Sequence, residues 1–323
     1  MPGAAEARAE RLAALRDDIA ANRVPGGSAF ARASAELIAL SVEEVDPSAG
    51  VEAVREAAAQ AADWVASTKP SMAVVRNVAR LAASLASGEH ADASALREEI
   101  AIAMRAFAAR SEQAVGRIGA LAPSVVRAGA RVLVHSYSAT LEALLRSATA
   151  AGIPFELLVT ESRPYRESRR LVEALAAAPV PVVLYSDAAV CIAAERADVA
   201  LVGADTVFAD GSFANKTGTL PLALACRRAG VDLYVATELA KVYLGDERDI
   251  EMEVRPAAEL AEGWPLVERG RVAVWNQFFE RVDAGLVHRY VTEEGVHPPE
   301  RVAELARDLL DGWAAERGGT AVR

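Results

Sequence analysis

The sequence predicts an α/β protein with an N-terminal helical domain, residues 1–120, followed by a mostly parallel sheet with helices on both faces, residues 121–323. Three observations lead there. The first 120 residues are rich in alanine and poor in β-branched runs, and alanine has the highest helix propensity. From Arg131 onward, short β-rich runs alternate with helical stretches. Those runs, such as Val132-Leu133-Val134 and Val199-Ala200-Leu201-Val202, are almost continuously apolar, as strands covered on both faces are.

In order along the chain, Ala4–Ala21, Val51–Thr68 and Ala93–Gly116 read as helices, within an expected four to six for the first domain. Between them lie turn and cap compositions: Asn22-Arg23-Val24-Pro25-Gly26-Gly27-Ser28, Glu44-Val45-Asp46-Pro47-Ser48 and Ser87-Gly88-Glu89-His90. Asp46 or Ser48 is the expected cap of the helix that follows. In the second domain the expected strands are Arg131–His135, Phe155–Thr160, Val180–Tyr185, Val199–Val202, Leu233–Ala236, Val272–Trp275 and Leu286–Val291. The connecting helices are Ala139–Ala151, Glu167–Ala178, Ala188–Arg196 and Leu220–Ala229, with Gly152 and Gly230 at helix ends.

Of the 323 residues, 52% are hydrophobic, which is enough for a large core. Aromatics are only 5%, so alanine, valine and leucine must do the packing. Lys plus Arg is 35 against 45 Asp plus Glu, a net charge of −10. That balance argues against a general nucleic-acid or membrane-surface binder, because phosphate backbones need a net basic face. A small anionic ligand needs only two or three local cations and stays open. Cys191 and Cys226, with His90, His135, His288 and His297, show no metal-ligand spacing and no disulfide framework. No apolar run reaches the ~18 residues of a membrane span. Met1 to Arg11 is charged and lacks a signal-peptide core, so a cytoplasmic protein is expected.

Ligands of open parallel sheets bind beyond the carboxyl ends of the strands. The segments there are His135-Ser136-Tyr137-Ser138, Thr160-Glu161-Ser162-Arg163-Pro164, Ser186-Asp187 and Gly203-Ala204-Asp205, with Asn215-Lys216-Thr217-Gly218-Thr219 a little further on. The last is the best anion candidate. Thr219 can cap a helix, whose free amides with Lys216 would meet a phosphate; an ordinary capped turn with a solvated lysine is the alternative. Arg163 suits bidentate phosphate recognition, although an arginine at a strand end is more often in a surface ion pair. Asp205, just past a buried strand, is a candidate for proton transfer, whereas Asp187 directly precedes a helical start and reads first as its cap. Ser136 lacks the Gly-x-Ser-x-Gly surroundings of a nucleophile elbow, and adjacent strand residues point to opposite faces, which argues against a Ser136–His135 pair. The cysteines read as core residues.

Together, Val159-Thr160-Glu161-Ser162-Arg163-Pro164, Asp187-Ala188-Ala189, Val202-Gly203-Ala204-Asp205, Asp210-Gly211 and Asn215-Lys216-Thr217-Gly218-Thr219 resemble one family. It contains the regulatory alpha, beta and delta subunits of translation initiation factor 2B, archaeal ribose-1,5-bisphosphate isomerase and methylthioribose-1-phosphate isomerase. Val274-Trp275-Asn276-Gln277-Phe278-Phe279-Glu280 and Val291-Thr292-Glu293-Glu294-Gly295-Val296-His297-Pro298-Pro299 look most like the ribose-bisphosphate isomerase branch. The likeness covers about residues 125–300 and extends loosely to Arg23 and Gly26-Gly27-Ser28.

The resemblance implies a Rossmann-like C-terminal domain, a homodimer or higher homo-oligomer, and a pocket for a sugar 1-phosphate between the domains. It implies substrate contacts from Arg23, Gly26, Gly27, Arg163, Asn215 and Lys216, with no cofactor and no metal. The family's isomerases carry a catalytic cysteine after the first C-terminal strand and an aspartate in Gly-Ala-Asp. Asp205 matches the aspartate, and Ser136 stands where the cysteine would be. An unactivated serine hydroxyl is a far weaker acid than a thiol of pKa ~8.5. The implied activity is a sugar-phosphate aldose–ketose isomerase with Asp205 and Ser136 at its centre. The alternative is a noncatalytic regulatory binder of a sugar phosphate or nucleotide, because His135-x-Tyr137-Ser138 looks more like the factor's alpha subunit. A nicotinamide-dependent dehydrogenase is disfavoured, since no Gly-x-Gly-x-x-Gly follows the first strand.

Overall fold

The computed structural model describes residues 3–24 and 26–315. It divides into two compact units, Met1–Gln113 and Ala114–Arg323. The division falls inside a 28-residue helix.

The first unit is helical: α1 (Ala4–Ala20), α2 (Gly27–Glu43), α3 (Val51–Thr68), α4 (Ala73–Ala86) and the start of α5 (Ala93–Ala120). In α3 the buried residues are Val54, Ala58, Ala61, Ala62 and Val65, a single stripe at helical spacing. It packs on α4, which buries Val74, Val75, Val78, Ala82 and Leu85, and on α2. Each buried valine or leucine contributes roughly 1.5–3 kcal/mol, while the alanines let helices approach closely. The expected cap of α3 is displaced. Asp46 accepts the Ser48 amide in a short 3₁₀ turn, Pro47–Ala49, and α3 begins after Gly50 at φ 87°.

The second unit continues with α6 (Ala122–Val125), β1 (Ala130–Val134), α7 (Ala139–Ala150), β2 (Phe155–Thr160), α8 (Ser168–Ala174), β3 (Val182–Tyr185), α9 (Val190–Arg196), β4 (Val199–Val202), β5 (Thr206–Phe208) and β6 (Phe213–Lys216). Then come α10 (Thr219–Ala229), β7 (Asp232–Ala236), β8 (Val242–Tyr243), α11 (Ala257–Ala261), α12 (Pro265–Glu268), β9 (Phe279–Val282), β10 (Arg289–Thr292), β11 (Gly295–His297) and α13 (Val302–Ala315). Seven strands form the main sheet in the order β11-β10-β7-β4-β1-β2-β3. Only the β10–β11 hairpin is antiparallel in it.

Alternate residues of each central strand feed different cores. Leu133, Leu158, Ala200, Val202, Leu233 and Val235 pack with α9, α10 and α13. Val132, Val134, Leu157, Val159, Val199 and Leu201 pack with α6, α7 and α8. This alternation is why the strands read as continuously apolar, and it confirms helices on both faces. β1 pairs with β2 on one side and β4 on the other. Strand order therefore reverses at β1, and the carboxyl ends of β1 and β4 are the switch point where ligands of such sheets bind.

Several expected elements differ. Val272–Trp275 forms no strand. None of its residues pairs in a ladder, the nearest bridge being Val254–Gln277 just beyond it, and Trp275 is 75% exposed. The last parallel strand starts at Arg289, after a 3₁₀ turn over Ala284–Leu286. The helix expected over Glu167–Ala178 stops at Ala174, where bonding tightens to i→i+3 and prolines 179 and 181 follow. A second, four-stranded sheet, β8-β5-β6-β9, was not legible; its strands have two to four residues, too short to show a period.

Candidate functional site

Immediately past β1 the backbone turns left-handed at Ser136, φ 66°, and past β2 it does so again at Ser162, φ 58°. Left-handed non-glycine residues cost of order 1–2 kcal/mol and gather at functional sites. Ser136 is pinned on both sides. Its amide donates to Ser168 Oγ at 3.0 Å, and its hydroxyl donates to Glu167 Oε2 at 2.8 Å. Both partners open α8. Ser162 and Arg163 donate their amides to the Asp187 carboxylate at 2.8 Å each. Asp187 therefore ties the end of β2 in place rather than capping the helix after it.

His135 turns away from Ser136, so no Ser–His pair forms. Its Nε2 lies 3.0 Å from the Thr217 carbonyl and its Nδ1 2.6 Å from Thr160 Oγ1. That assigns the neutral Nε2–H tautomer, with the Thr160 hydroxyl donating to Nδ1. Burial lowers the ring's pKa, against the pull of Asp187. The ring lies so close to the α10 start that a Cβ on Gly218 would meet it at 2.6 Å. Gly218, at φ 110°, is thus required by conformation and by space, and it takes the cap position expected of Thr219.

Asp205 follows β4. A Cβ on nearby Gly203 would lie 2.6 Å from Ser138 Cβ, so only glycine lets this loop pass the one after β1. The Asp205 amide donates to the Ala214 carbonyl at 3.0 Å. Burial pushes its carboxyl pKa up to about 6. Lys241 and Lys216 pull that value down, while Glu167 and Glu253 push it up. The Lys241 ammonium, itself buried, donates to the Ala204 carbonyl at 3.0 Å.

Lys216 is not a solvated turn lysine. It ends β6, is 2% exposed, and holds its ammonium 2.9 Å from Glu167 Oε2 and 3.1 Å from the centre of the Phe278 ring. Burial lowers its pKa, and Glu167 opposes this. Asn215 is also buried and donates to Thr219 Oγ1 at 2.9 Å, while that hydroxyl donates to the Lys216 carbonyl at 2.6 Å. The expected phosphate cradle at the α10 amides is occupied from within the chain. The register Asn215–Glu280 between β6 and β9 sets Glu280 beside the helix start. Glu280 Oε1 then accepts the Gly218 amide at 2.6 Å and the Leu220 amide at 2.8 Å.

Arg163 adopts the ion pair that strand-end arginines favour. Its guanidinium meets Glu262 Oε1, which also accepts from Arg166 at 3.1 Å. Arg23 lies in the first unit, exposed, with Asp18 at 2.8 Å and Asp17 at 2.6 Å. Gly26, at φ 80°, and buried Gly27 open α2. The second unit thus brings together Ser136, Asp205, Lys216 and Asn215 at one edge.

Sequence reading missed Glu167, Lys241 and Glu280. Lys241 was within reach, because the segment after β7 ends at the same sheet edge. Glu167 and Glu280 carried no local signal. Among the described residues, no group of three or more His, Cys, Asp and Glu side chains is placed to hold a metal ion. No described helix is long and apolar enough to cross a membrane.

A switch-point crevice lined by paired acids and cations is the edge where α/β sheets take small polar ligands. The chain belongs to the initiation factor 2 subunit family, whose model matches residues 23–299. It is 30% identical over 295 residues to ribose 1,5-bisphosphate isomerase of Haloferax volcanii, covering 91% of this chain and 90% of the relative. It is 29% identical to a putative translation initiation factor eIF-2B subunit 2-like protein of Pyrococcus furiosus, covering 90% and 98%. The crystal structure of the Pyrococcus horikoshii translation initiation factor eIF-2B superposes with a TM-score of 0.78 at 26% identity, covering 90% of this chain and 98% of that one.

Proposed function

We propose that the protein is a sugar-phosphate aldose–ketose isomerase of the ribose-1,5-bisphosphate isomerase type. One observation carries the reading: Asp205, a carboxyl with its pKa near 6, shares the switch-point edge with the Lys216–Glu167–Ser136 group. A general acid–base works best when its pKa lies near the working pH. The name of the Haloferax volcanii relative points to the same reaction class.

A phosphate on C1 blocks simple ring opening of the sugar. The site must protonate the ring oxygen as its bond to C1 breaks, then move hydrogen from C2 to C1. Asp205 is the acid that protonates the ring oxygen. Lys216, Asn215 and Arg163 hold phosphate through side chains, since Glu280 takes the α10 amides. Arg163 must leave Glu262 to do so. The assembly is a homodimer.

A second reading, a noncatalytic sugar-phosphate or nucleotide binder of regulatory type, is favoured by Ser136 at the position of the family's thiol. One experiment separates them. The purified protein is incubated with ribose 1,5-bisphosphate, ribose 1-phosphate and methylthioribose 1-phosphate, and ketose formation is followed by NMR. Turnover of one sugar supports the isomerase. Binding of a sugar without turnover establishes the regulatory binder.

A further inference from the structure

We propose that Glu167 is the general base of the isomerisation, working against Asp205 as the acid, with Ser136 as its hydrogen-bonded partner. The inference rests on the isomerase reading above. A serine hydroxyl cannot take over the proton chemistry of a thiolate, because it is too weak an acid to ionise unaided. Its direct neighbour can. The Ser136 hydroxyl donates to Glu167 Oε2 at 2.8 Å, so the basic atom of the pair is the carboxylate oxygen. Lys216 Nζ, 2.9 Å from the same oxygen, gives that carboxylate a cationic partner. Glu167 stands at the cap of α8 with its side chain 34% exposed, so it is open to a ligand.

The two carboxyls occupy contrasting surroundings within one cluster. At Asp205, burial favours the neutral acid form. Glu167 is open to water and lies beside an ammonium. Unlike environments on a neighbouring carboxyl pair are what separates an acid from a base. Glu167 acts electrostatically on Asp205 after β4, Lys216 of β6 and His135 after β1.

The proton balance closes without a further reactant. Glu167 removes the C2 proton, and that electron pair forms a C1–C2 double bond. The bond from C1 to the ring oxygen breaks, and the ring oxygen takes the Asp205 proton. The enol then returns to the ketose. Its C2 hydroxyl gives its proton to the Asp205 carboxylate, the carbonyl forms at C2, and C1 takes the proton held by Glu167. Both carboxyls end as they began, and the phosphate stays on C1.

The test compares wild type, Glu167→Gln, Ser136→Ala and the double variant Ser136→Cys/Glu167→Gln. Ribose 1,5-bisphosphate turnover is read by NMR and its binding by calorimetry. Glutamine keeps the size of Glu167 and can still accept from Ser136, but it cannot act as the base. Its kcat is expected to fall at least ~100-fold, the usual scale of general base catalysis, with affinity changed only a few-fold. Ser136→Ala should cost about tenfold or less. A thiol at 136 ionises without help, so the double variant should regain at least about tenfold over Glu167→Gln. A merely structural glutamate would not be rescued in this way. Active Glu167→Gln, or an inactive variant that the thiol does not rescue, overturns the assignment while leaving the isomerase reading standing. A wild type that binds the sugar and turns over none of it overturns both.

Discussion

Glu280 Oε1 accepts the Gly218 amide at 2.6 Å, so the amino terminus of α10 is satisfied by a carboxylate of the chain itself. The same oxygen takes the Leu220 amide at 2.8 Å. Glu280 therefore caps the helix and pins β9 to it in one contact, and its charge suits the positive end of the helix dipole. Glu280→Ala is expected to lower unfolding free energy by about 1–2 kcal/mol, the upper range for a lost cap. Urea denaturation measures this. An unchanged midpoint would show that the two hydrogen bonds contribute nothing net.

Lys216 should affect binding and stability together. A solvated lysine could be replaced without structural cost. This one is buried between Glu167 and the Phe278 ring. Lys216→Met keeps the stem and leaves Glu167 without its cationic partner. We expect a stability loss of about 1–3 kcal/mol and a loss of sugar-phosphate affinity of about 1.5–3 kcal/mol, each on the scale of a charged hydrogen bond. Denaturation and calorimetry on the same preparation read both. Full stability with weakened binding would mean that the buried contacts of Lys216 contribute nothing net to the fold.

Stability should depend on pH through Glu293. Both its carboxyl oxygens lie within 3.0–3.2 Å of the Leu239 amide, and burial pushes its pKa up to about 7. Glu238 adds to the rise, while the amide contacts and Arg117 oppose it. In the unfolded chain a glutamate titrates near ~4.3. The folded state thus binds the proton more tightly, and this group's contribution declines as pH rises from about 4.3 to about 7. Asp205 acts in the same direction up to about pH 6. His135, buried neutral, acts oppositely, destabilising as pH falls below ~6.5. Glu293→Gln isolates the first effect. Its urea midpoint should fall less than that of wild type, or rise more, between pH 5 and pH 7, and parallel curves would rule the glutamate out.

The proposed homodimer predicts a dimeric mass by light scattering of the intact protein at micromolar concentration. A monomeric mass there would count against it.

The main sheet was legible because its central strands are buried on both faces. Val199–Val202 is a continuous apolar run and Phe155–Thr160 is broken only by Glu156 before its terminal threonine, and the structure keeps the bounds of both. The second sheet was hidden because its strands are short and carry polar residues: β6 is Phe213-Ala214-Asn215-Lys216, which reads as a turn when taken alone. For the same reason a solvated turn lysine stayed open as the alternative for Lys216. Its burial comes from Phe278, 62 residues away in the chain. Asp205 and Ser136 could be found because the carboxyl ends of strands are where ligands of such sheets bind. Glu167 could not, since nothing local to a helix start reveals that β1 turns left-handed at Ser136 to meet it.

The most direct test of the proposed function is Asp205→Asn, with turnover and affinity measured side by side on whichever of the three sugars the wild type converts. Asparagine keeps the size and much of the hydrogen bonding but removes the proton. The account predicts kcat lower by about 100-fold or more, calorimetric affinity nearly unchanged, and a larger loss than Ser136→Ala produces. An Asp205→Asn protein that still turns over at close to the wild-type rate, or a Ser136→Ala protein that is dead while Asp205→Asn is active, would contradict it.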